Sequence, residues 1–213
     1  MKIGILGSGV VGQQLGFGFL KQGHNVKLGT RDSSKLEDWL KEAGDKASVG
    51  TTAEAAKFGD IIIIATGWVG TESAINSAGK ENFKGKIVID VTNPLDFSEG
   101  TPPKMTSVQG NSGGERVQKW LSESKVVKAF NTINAYIMVN PKYEEGNPSL
   151  LICGNNYDAK KQVTSFAENF GWKSVIDMGD ISMAYWLECF AMVWIHYAFK
   201  NNHWTHAFSL LIK

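Results

Sequence analysis

The sequence predicts an α/β protein in which a doubly wound, mostly parallel sheet is followed by a short C-terminal helical appendage. Three observations lead to this prediction. Short apolar runs alternate with helical patterns, glycines stand where those helices should end, and the pattern turns helical and strongly aromatic after Gly179. We therefore expect a sheet domain over residues 1–180 and a helical segment over residues 181–213 that caps it.

The predicted strands are short and apolar on consecutive positions, as expected for strands that are buried on both faces. Their β-branched content favours strands over short buried helices. Because helical patterns separate them, we expect parallel pairing with crossover helices. The predicted strands are Lys2–Leu6, Asn25–Leu28, Asp60–Ala65, Lys86–Val91, Lys125–Phe130, Ser149–Cys153 and Lys173–Ile176.

Several helices have readable ends. A hydroxyl residue three positions before a glutamate predicts a capping box, in which the two side chains bond each other's backbone amides. Glycine just after a helical pattern predicts a helix end. The expected boxes are Ser34 with Glu37, Thr51 with Glu54 and Ser112 with Glu115, and the expected stops are Gly23, Gly44, Gly59 and Gly171. The segment Phe97–Gly114, rich in Pro, Gly, Ser and Thr, is predicted to be a long loop.

Composition excludes several classes of protein. The 213 residues include 22 Lys+Arg and 21 Asp+Glu, so the formal charge of +1 argues against a nucleic-acid binder. No run approaches the roughly 18 apolar residues of a membrane span, and the start does not resemble a signal peptide. The two distant cysteines, Cys153 and Cys189, favour a reducing compartment. We expect a cytoplasmic protein without a membrane part.

A G-x-G-x-x-G motif stands between the first predicted strand and an amphipathic helix, the arrangement of a dinucleotide-binding Rossmann fold. Its residues are Gly7, Ser8, Gly9, Val10, Val11 and Gly12. The first glycine permits the turn, the second lets a pyrophosphate approach the backbone, and the third lets the helix pack closely. The helix amides then bind the anion. The alternative is an ordinary glycine-rich turn.

The residues after the second strand favour NADP(H) over NAD(H). An NAD site has an acidic residue near the end of this strand for the ribose hydroxyls, whereas Gly29 and Thr30 stand here. Thr30, Arg31 and Lys35 supply donors that fit a 2′-phosphate. In the alternative interpretation both cations are merely solvated, and Asp32 binds a ribose hydroxyl.

Ligands of such sheets bind beyond the carboxyl ends of the strands, where compact polar segments follow three of the predicted strands. The expected cofactor contacts are Ala65, Thr66, Gly67 and Asn93, and the expected substrate pocket contains Trp68, Asn93, Asn131, Thr132 and Ile133. Simple packing is the alternative for Trp68, and a turn before Pro94 is the alternative for Asn93.

We find no acid–base constellation and assign no catalytic acid or base. A metal site built from His196, His203 and His206 is disfavoured because their spacing is not a metal-binding pattern. Oxidation of an alcohol would need a group to take the hydroxyl proton. Hydride exchange between a nicotinamide and a flavin-like ring needs mainly alignment, because the cofactors carry the chemistry.

Five segments together resemble the coenzyme F420-dependent NADP oxidoreductase family, and the resemblance extends over nearly the whole chain. The segments are Gly7–Gly12, Gly29–Lys35, Thr66–Trp68, Asn93–Leu95 and Val126–Thr132. The chain is also similar to the N-terminal domain of metalloreductases that carry a haem membrane domain, which is a part this chain lacks.

The resemblance implies that NADP(H) lies across the glycine loop with Thr30, Arg31 and Lys35 on its 2′-phosphate. It implies that a deazaflavin or flavin ring stacks on the nicotinamide near Trp68, Asn131, Thr132 and Ile133, under the C-terminal helices. It also implies a homodimer whose C-terminal helices pack together.

Two hypotheses follow. The first is an NADP(H)-dependent oxidoreductase that transfers a hydride between the nicotinamide and a flavin-like or deazaflavin (F420-type) acceptor. The second is a non-enzymatic NADP(H) sensor or interaction module, which the missing acid–base group and the aromatic tail favour. An imine or β-hydroxy-acid reductase is disfavoured, because such enzymes carry a long helical second domain and only about thirty residues follow the last strand.

Overall fold

The computed structural model, which describes residues 1–211 and 213, contains an eight-stranded sheet in the order β10-β9-β8-β5-β4-β1-β2-β3. All of its strand pairs are parallel except β8 with β9. A small antiparallel ribbon joins β6 to β7. The strands are β1 (Lys2–Leu6), β2 (Asn25–Gly29), β3 (Ala47–Gly50), β4 (Ile61–Ile64), β5 (Ile87–Asp90), β6 (Leu95–Asp96), β7 (Lys104–Met105), β8 (Lys125–Lys128), β9 (Ser149–Gly154) and β10 (Ser174–Asp177).

Helices cover both faces of the sheet, which confirms the doubly wound Rossmann fold. In β4 the side chains of Ile61 and Ile63 face one apolar layer, and those of Ile62 and Ile64 face the other. This double burial explains why the strands have consecutive apolar residues. The helices are α1 (Val10–Lys21), α2 (Glu37–Ala43), α3 (Thr52–Phe58), α4 (Trp68–Ala78), α5 (Gly113–Trp120), α6 (Ala135–Met138), α7 (Tyr157–Phe170) and α8 (Ala184–Asn201).

Two of the three expected capping boxes are confirmed, at Thr51 before α3 and at Ser112 before α5. The box expected at Ser34 is wrong. The Asp32 carboxylate accepts from both the amide and the hydroxyl of Ser34, so Asp32 caps a 3₁₀ turn over Ser33–Leu36, and α2 begins only at Glu37. In the expected box the Ser34 amide would donate to the Glu37 side chain. Instead it donates to the aspartate two residues upstream.

The sequence analysis missed β3 and described Phe97–Gly114 too simply. Strand β3 lies at the sheet edge and contains only one large apolar residue, Val49, so it lacks the pattern of a doubly buried strand. Within the expected loop, β7 pairs with β6 and α5 begins at Gly113. Two-residue strands give no periodicity from which to predict them.

The C-terminal segment is helical only in part. A 3₁₀ turn over Ile181–Met183 leads into α8, whose C-cap residue Asn202 lies in the left-handed region (φ 48°). The segment that follows packs against α8, where Trp194 Nε1 donates to the His206 carbonyl, and reaches the start of β9, where the Ser149 amide donates to the Phe208 carbonyl. The division at residue 180 stays a prediction. In the described residues, no helix has the length and apolarity required to cross a membrane.

Candidate functional site

The three glycines of the G-x-G-x-x-G loop have different surroundings. Gly7 has a φ of 128°, and a β-carbon there would lie 2.3 Å from the Ala65 carbonyl oxygen. At Gly12 a β-carbon would lie 2.2 Å from the Gly7 carbonyl oxygen. At Gly9, by contrast, a β-carbon would meet nothing within 4 Å. The fold therefore requires Gly7 and Gly12, whereas no contact among the described residues requires Gly9.

Helix α1 begins without a side-chain cap. Gly9 is its N-cap residue, no side chain accepts from the first turn, and that turn contains no acidic residue. Val10, which opens the helix, is half-exposed, and Val11 lies beside it. The amides at this end carry the partial positive charge of a helix N-terminus. Ser8 lies beside them, and its carbonyl accepts from Gln13 Nε2 at 2.8 Å.

The segment after β2 lies against this loop, since Thr30 Oγ1 is 3.1 Å from Ser8 Oγ. Arg31 is exposed. Lys35 Nζ lies 3.9 Å from Asp32 Oδ2, and both side chains are largely exposed. Hydrogen bonds from the Ser34 hydroxyl and amide, both to Oδ1, lower the pKa of Asp32.

The tip of β4 lies on the other side of the glycine loop, where the Ala65 amide donates to the Leu6 carbonyl. Thr66 Oγ1 lies 2.9 Å from Thr71 Oγ1, and Gly67 is the N-cap residue of α4 without a side-chain cap. Trp68 stacks on Trp120 with ring centroids 5.7 Å apart and packs on the apolar layer of α3, α4 and α5. Packing thus accounts for at least part of the role of Trp68.

The two predicted asparagines meet at the tips of β5 and β8. Asn93 Nδ2 donates to the Asn131 carbonyl at 2.7 Å, and Asn131 Nδ2 donates to Asn93 Oδ1 at 3.0 Å and to the Leu187 carbonyl at 3.2 Å. Asn131 is only 5% exposed, yet its Oδ1 has no partner in the described part of the chain. Thr132 and Ile133, the next two residues, are also buried.

Phe130 brings Asn131 into this position through an unusual backbone conformation. Its φ of 62° lies in the left-handed region, which an aromatic residue seldom adopts. Its side chain is fully buried in the core, which holds the residue there. Such conformations require about 1–3 kcal/mol from the surrounding structure and concentrate at functional sites.

A buried charge cluster that the sequence analysis missed lies directly beneath the asparagines. Lys128 Nζ is 2.9 Å from Asp90 Oδ2 and 2.9 Å from Glu188 Oε1, and it donates to the Thr92 carbonyl at 2.8 Å. All three charged side chains are fully inaccessible. Burial by itself lowers the pKa of Lys128, but the two carboxylates outweigh burial and raise it. The two carboxylates therefore favour the charged form of Lys128.

Glu188 joins this cluster to three other parts of the chain. Its carboxylate accepts from the Gly113 and Gly114 amides at 3.0 Å each and from the Ser107 hydroxyl. It thereby caps α5, fixes the segment after β7 and ties α8 to the sheet. The sequence offered two signals for this cluster. Asp90 and Lys128 are charged residues at the ends of apolar strands, and Glu188 is a glutamate within an aromatic helix.

The predicted site residues therefore form two groups at the carboxyl edge of the sheet. The first group, with Gly7–Gly12 and the segment Thr30–Lys35, is called the adenosine side after the part of a dinucleotide predicted to bind there. The second group, with the tips of β4, β5 and β8, is called the acceptor side after the predicted substrate pocket. The glycine loop joins the two groups, because Gly7 touches both Gly29 and Ala65.

Known proteins resemble this chain over most of its length. A family model described as NADP oxidoreductase coenzyme F420-dependent matches residues 2–94. The F420-dependent NADP reductase of Methanocaldococcus jannaschii is 33% identical over 194 residues, which are 85% of each chain. The metalloreductase STEAP3 of Rattus norvegicus is 29% identical over 86% of this chain and 35% of its own length.

A solved structure agrees with the fold throughout. The crystal structure of a candidate F420-dependent NADP-reductase from Arthrobacter sp. FB24 is 35% identical, and the alignment covers 100% of both chains with a TM-score of 0.94. The similarity therefore includes the C-terminal segment as well as the glycine loop.

Proposed function

Because the chain belongs to the coenzyme F420-dependent NADP oxidoreductase family and is an NADP-dependent oxidoreductase, we propose that it transfers a hydride between NADP(H) and a flavin-like or deazaflavin (F420-type) ring. The observation that carries the proposal is the open space at Gly9 in front of the uncapped start of α1. A pyrophosphate needs both the close backbone approach and the free amides.

The adenosine side supports the choice of NADP(H). Thr30 lies beside Ser8 of the loop, and the exposed Arg31 side chain can form two parallel hydrogen bonds with a phosphate. Lys35 adds a second cation within one turn. The alternative, in which Asp32 binds a ribose hydroxyl, keeps an acceptor, because both bonds from Ser34 go to Oδ1 and leave Oδ2 able to accept.

The acceptor side supports a pocket for planar rings. We assign the unpartnered Asn131 Oδ1 to an N–H donor of the bound ligand, which both the nicotinamide carboxamide and a reduced flavin-like ring carry. Asn93 holds Asn131 from one side and the Leu187 carbonyl holds it from the other. Thr132, Ile133 and Trp68 would border the rings and keep water away.

The chain's own residues align the reactants rather than exchange protons. When bound, NADPH supplies a hydride from its nicotinamide to the acceptor ring. Lys128 does not serve as an acid near neutral pH, because its raised pKa keeps it charged. The rate then depends on how closely the two rings are stacked, which is a matter of position.

The homodimer and the cytoplasmic location are part of the proposal. Trp186, Val193 and Tyr197 of α8 are each about half-exposed and lie along one stripe of the helix, which supports pairing of α8 with a second copy. The free thiols of Cys153 and Cys189 support a reducing compartment.

The decisive experiment follows the loss of NADPH absorbance with riboflavin, FMN, coenzyme F420, a quinone and a ferric chelate as separate acceptors. We expect turnover with at least one flavin-like or deazaflavin ring and much slower turnover with NADH. Tight NADPH binding without turnover on any of these acceptors would replace the proposal by the sensor hypothesis. Turnover with the ferric chelate alone would refute the flavin-like acceptor and identify ferric iron as the acceptor instead.

A further inference from the structure

One cation beside the predicted pocket lacks the partners that its burial requires. The Arg116 guanidinium carbon lies 4.4 Å from the centre of the Trp68 ring, and the side chain is half-buried there. Its Nε and Nη2 atoms are inaccessible, and within the described part of the chain neither has a hydrogen-bond partner. Leaving buried donors of a charged group unbonded is unfavourable.

The unbonded atoms form one particular edge of the guanidinium. The Nε–H bond and one Nη2–H bond are parallel and point the same way, so this edge matches two oxygens of a phosphate or a carboxylate. The aromatic face of Trp68 favours the cation but provides no in-plane acceptor. The geometry therefore supplies a bidentate donor for an oxyanion.

Two acidic side chains that contact α5 are already bonded. Glu115 accepts from Ser112 in the capping box of α5. Glu188 accepts from the first amides of α5 and pairs with Lys128. Neither carboxylate is free to pair with Arg116. The guanidinium edge is thus left free because Glu115 is bonded in its capping box and Glu188 is bonded in the charge cluster.

Arg116 also lies beside the groups that the acceptor would contact. It is three residues after Gly113, where a β-carbon would lie 2.5 Å from Pro94, the neighbour of Asn93. Trp68 directly follows Thr66 and Gly67 at the tip of β4. The guanidinium therefore stands on the α4–α5 side of the predicted ring pocket.

We propose that Arg116, supported by Trp68, is an anion-binding subsite for a phosphate or carboxylate group carried by the hydride acceptor. This inference rests on the proposed function and narrows its substrate class to anionic acceptors. Within the described part of the chain Arg116 has no ion pair to break, so its contact with the Trp68 ring is the one that adjusts when the guanidinium meets an anion.

The test compares ligands that differ only in the anionic group. FMN and riboflavin share one ring, as do coenzyme F420 and its deazaflavin riboside without the phosphate-bearing side chain. Dissociation constants are measured by ring fluorescence on the chain saturated with NADP⁺. We expect the charged member of at least one pair to bind about tenfold more tightly, the gain typical of a charge-assisted bond.

Arg116→Met should remove that preference, and the matched control Lys119→Met, an exposed position on the same helix, should retain it. Equal affinity for both members of each pair in the unaltered chain would overturn the inference. An equal loss for both members in Arg116→Met would show a purely structural role and overturn it too. Adding inorganic phosphate separates the sources, since competition only with the charged member identifies the phosphate group itself.

Binding is measured without turnover, so the outcome is independent of the hydride-transfer assay. A preference that depends on Arg116 in a chain that does not oxidise NADPH would refute the proposed function and leave the anion subsite standing. Turnover without such a preference would support the proposed function and refute the anion subsite.

Discussion

The adenosine side and the acceptor side of the site are built in opposite ways. On the adenosine side, the contact of Thr30 with Ser8 spans 22 residues and that of Ser34 with Asp32 spans two, and the charged groups are exposed. On the acceptor side, Asn131 reaches Leu187, 56 residues away, and Ser107 reaches Glu188, 81 residues away, in a buried network. Substitutions on the first side should therefore affect binding, and those on the second should affect folding as well.

The largest expected effect tests the buried side. Lys128→Met leaves the carboxylates of Asp90 and Glu188 without their cation, so the free energy of unfolding should fall by about 3–5 kcal/mol. Denaturant unfolding measures this loss. Lys125→Met, at the exposed start of the same strand, should change stability by no more than about 0.5 kcal/mol. Similar losses for both variants would remove the distinction between the two sides.

The second effect concerns the glycine loop. Gly9→Val has room for its side chain, so stability should change by about 1 kcal/mol or less. NADPH binding, measured by calorimetry, should weaken by roughly a hundredfold, about 2.7 kcal/mol, because the side chain occupies the approach to the α1 amides.

Gly12→Ala provides the structural counterpart. Its β-carbon would lie 2.2 Å from the Gly7 carbonyl, so we expect a clear loss of stability even in the absence of cofactor. Unchanged NADPH affinity in Gly9→Val would refute the role of the loop. Equal stability losses in both variants would refute the difference between the two glycines.

The smallest effect tests the exposed cations. Arg31→Ala should weaken NADPH binding by about tenfold, or about 1.4 kcal/mol, through loss of a charge-assisted bond to the 2′-phosphate. NADH, which lacks that phosphate, serves as the matched control and should bind almost unchanged. The NADPH effect should also shrink at high salt, because the group is exposed. Equal losses for NADPH and NADH would be incompatible with the phosphate contact.

Sequence reasoning predicted the strand, the glycine turn and the helix start of the adenosine side, and the structure has that unit for a physical reason. A dinucleotide loop is encoded within one strand–turn–helix unit, so its glycines, its strand and its helix appear together in one short stretch. The confirmed capping boxes at Thr51 and Ser112 are equally local. The wrong box at Ser34 shows the limit of such rules, because a second local acceptor, Asp32, competed for the same amide.

The acceptor side was predicted only as separate strand tips. The sequence indicates Asn93 and Asn131 separately, as residues that follow two strands. It does not indicate that they bond each other or that Asn131 bonds the backbone of α8. The sequence does not predict the buried charge cluster, because each of its members is a single charge within an apolar segment. The members are Asp90, Lys128 and Glu188. The strand β3 was missed because an edge strand needs little hydrophobic pattern.

The sequence alone determined the mostly parallel sheet and the position of the glycine loop, because hydrophobic periodicity and backbone freedom at glycine act over a few residues. Only the tertiary structure decided which charges are buried together and, among the described residues, which asparagine oxygen and which arginine edge have no partner. Those properties depend on pairs of atoms that are distant along the chain, and the energy of a buried polar group is set by the partner that folding brings to it.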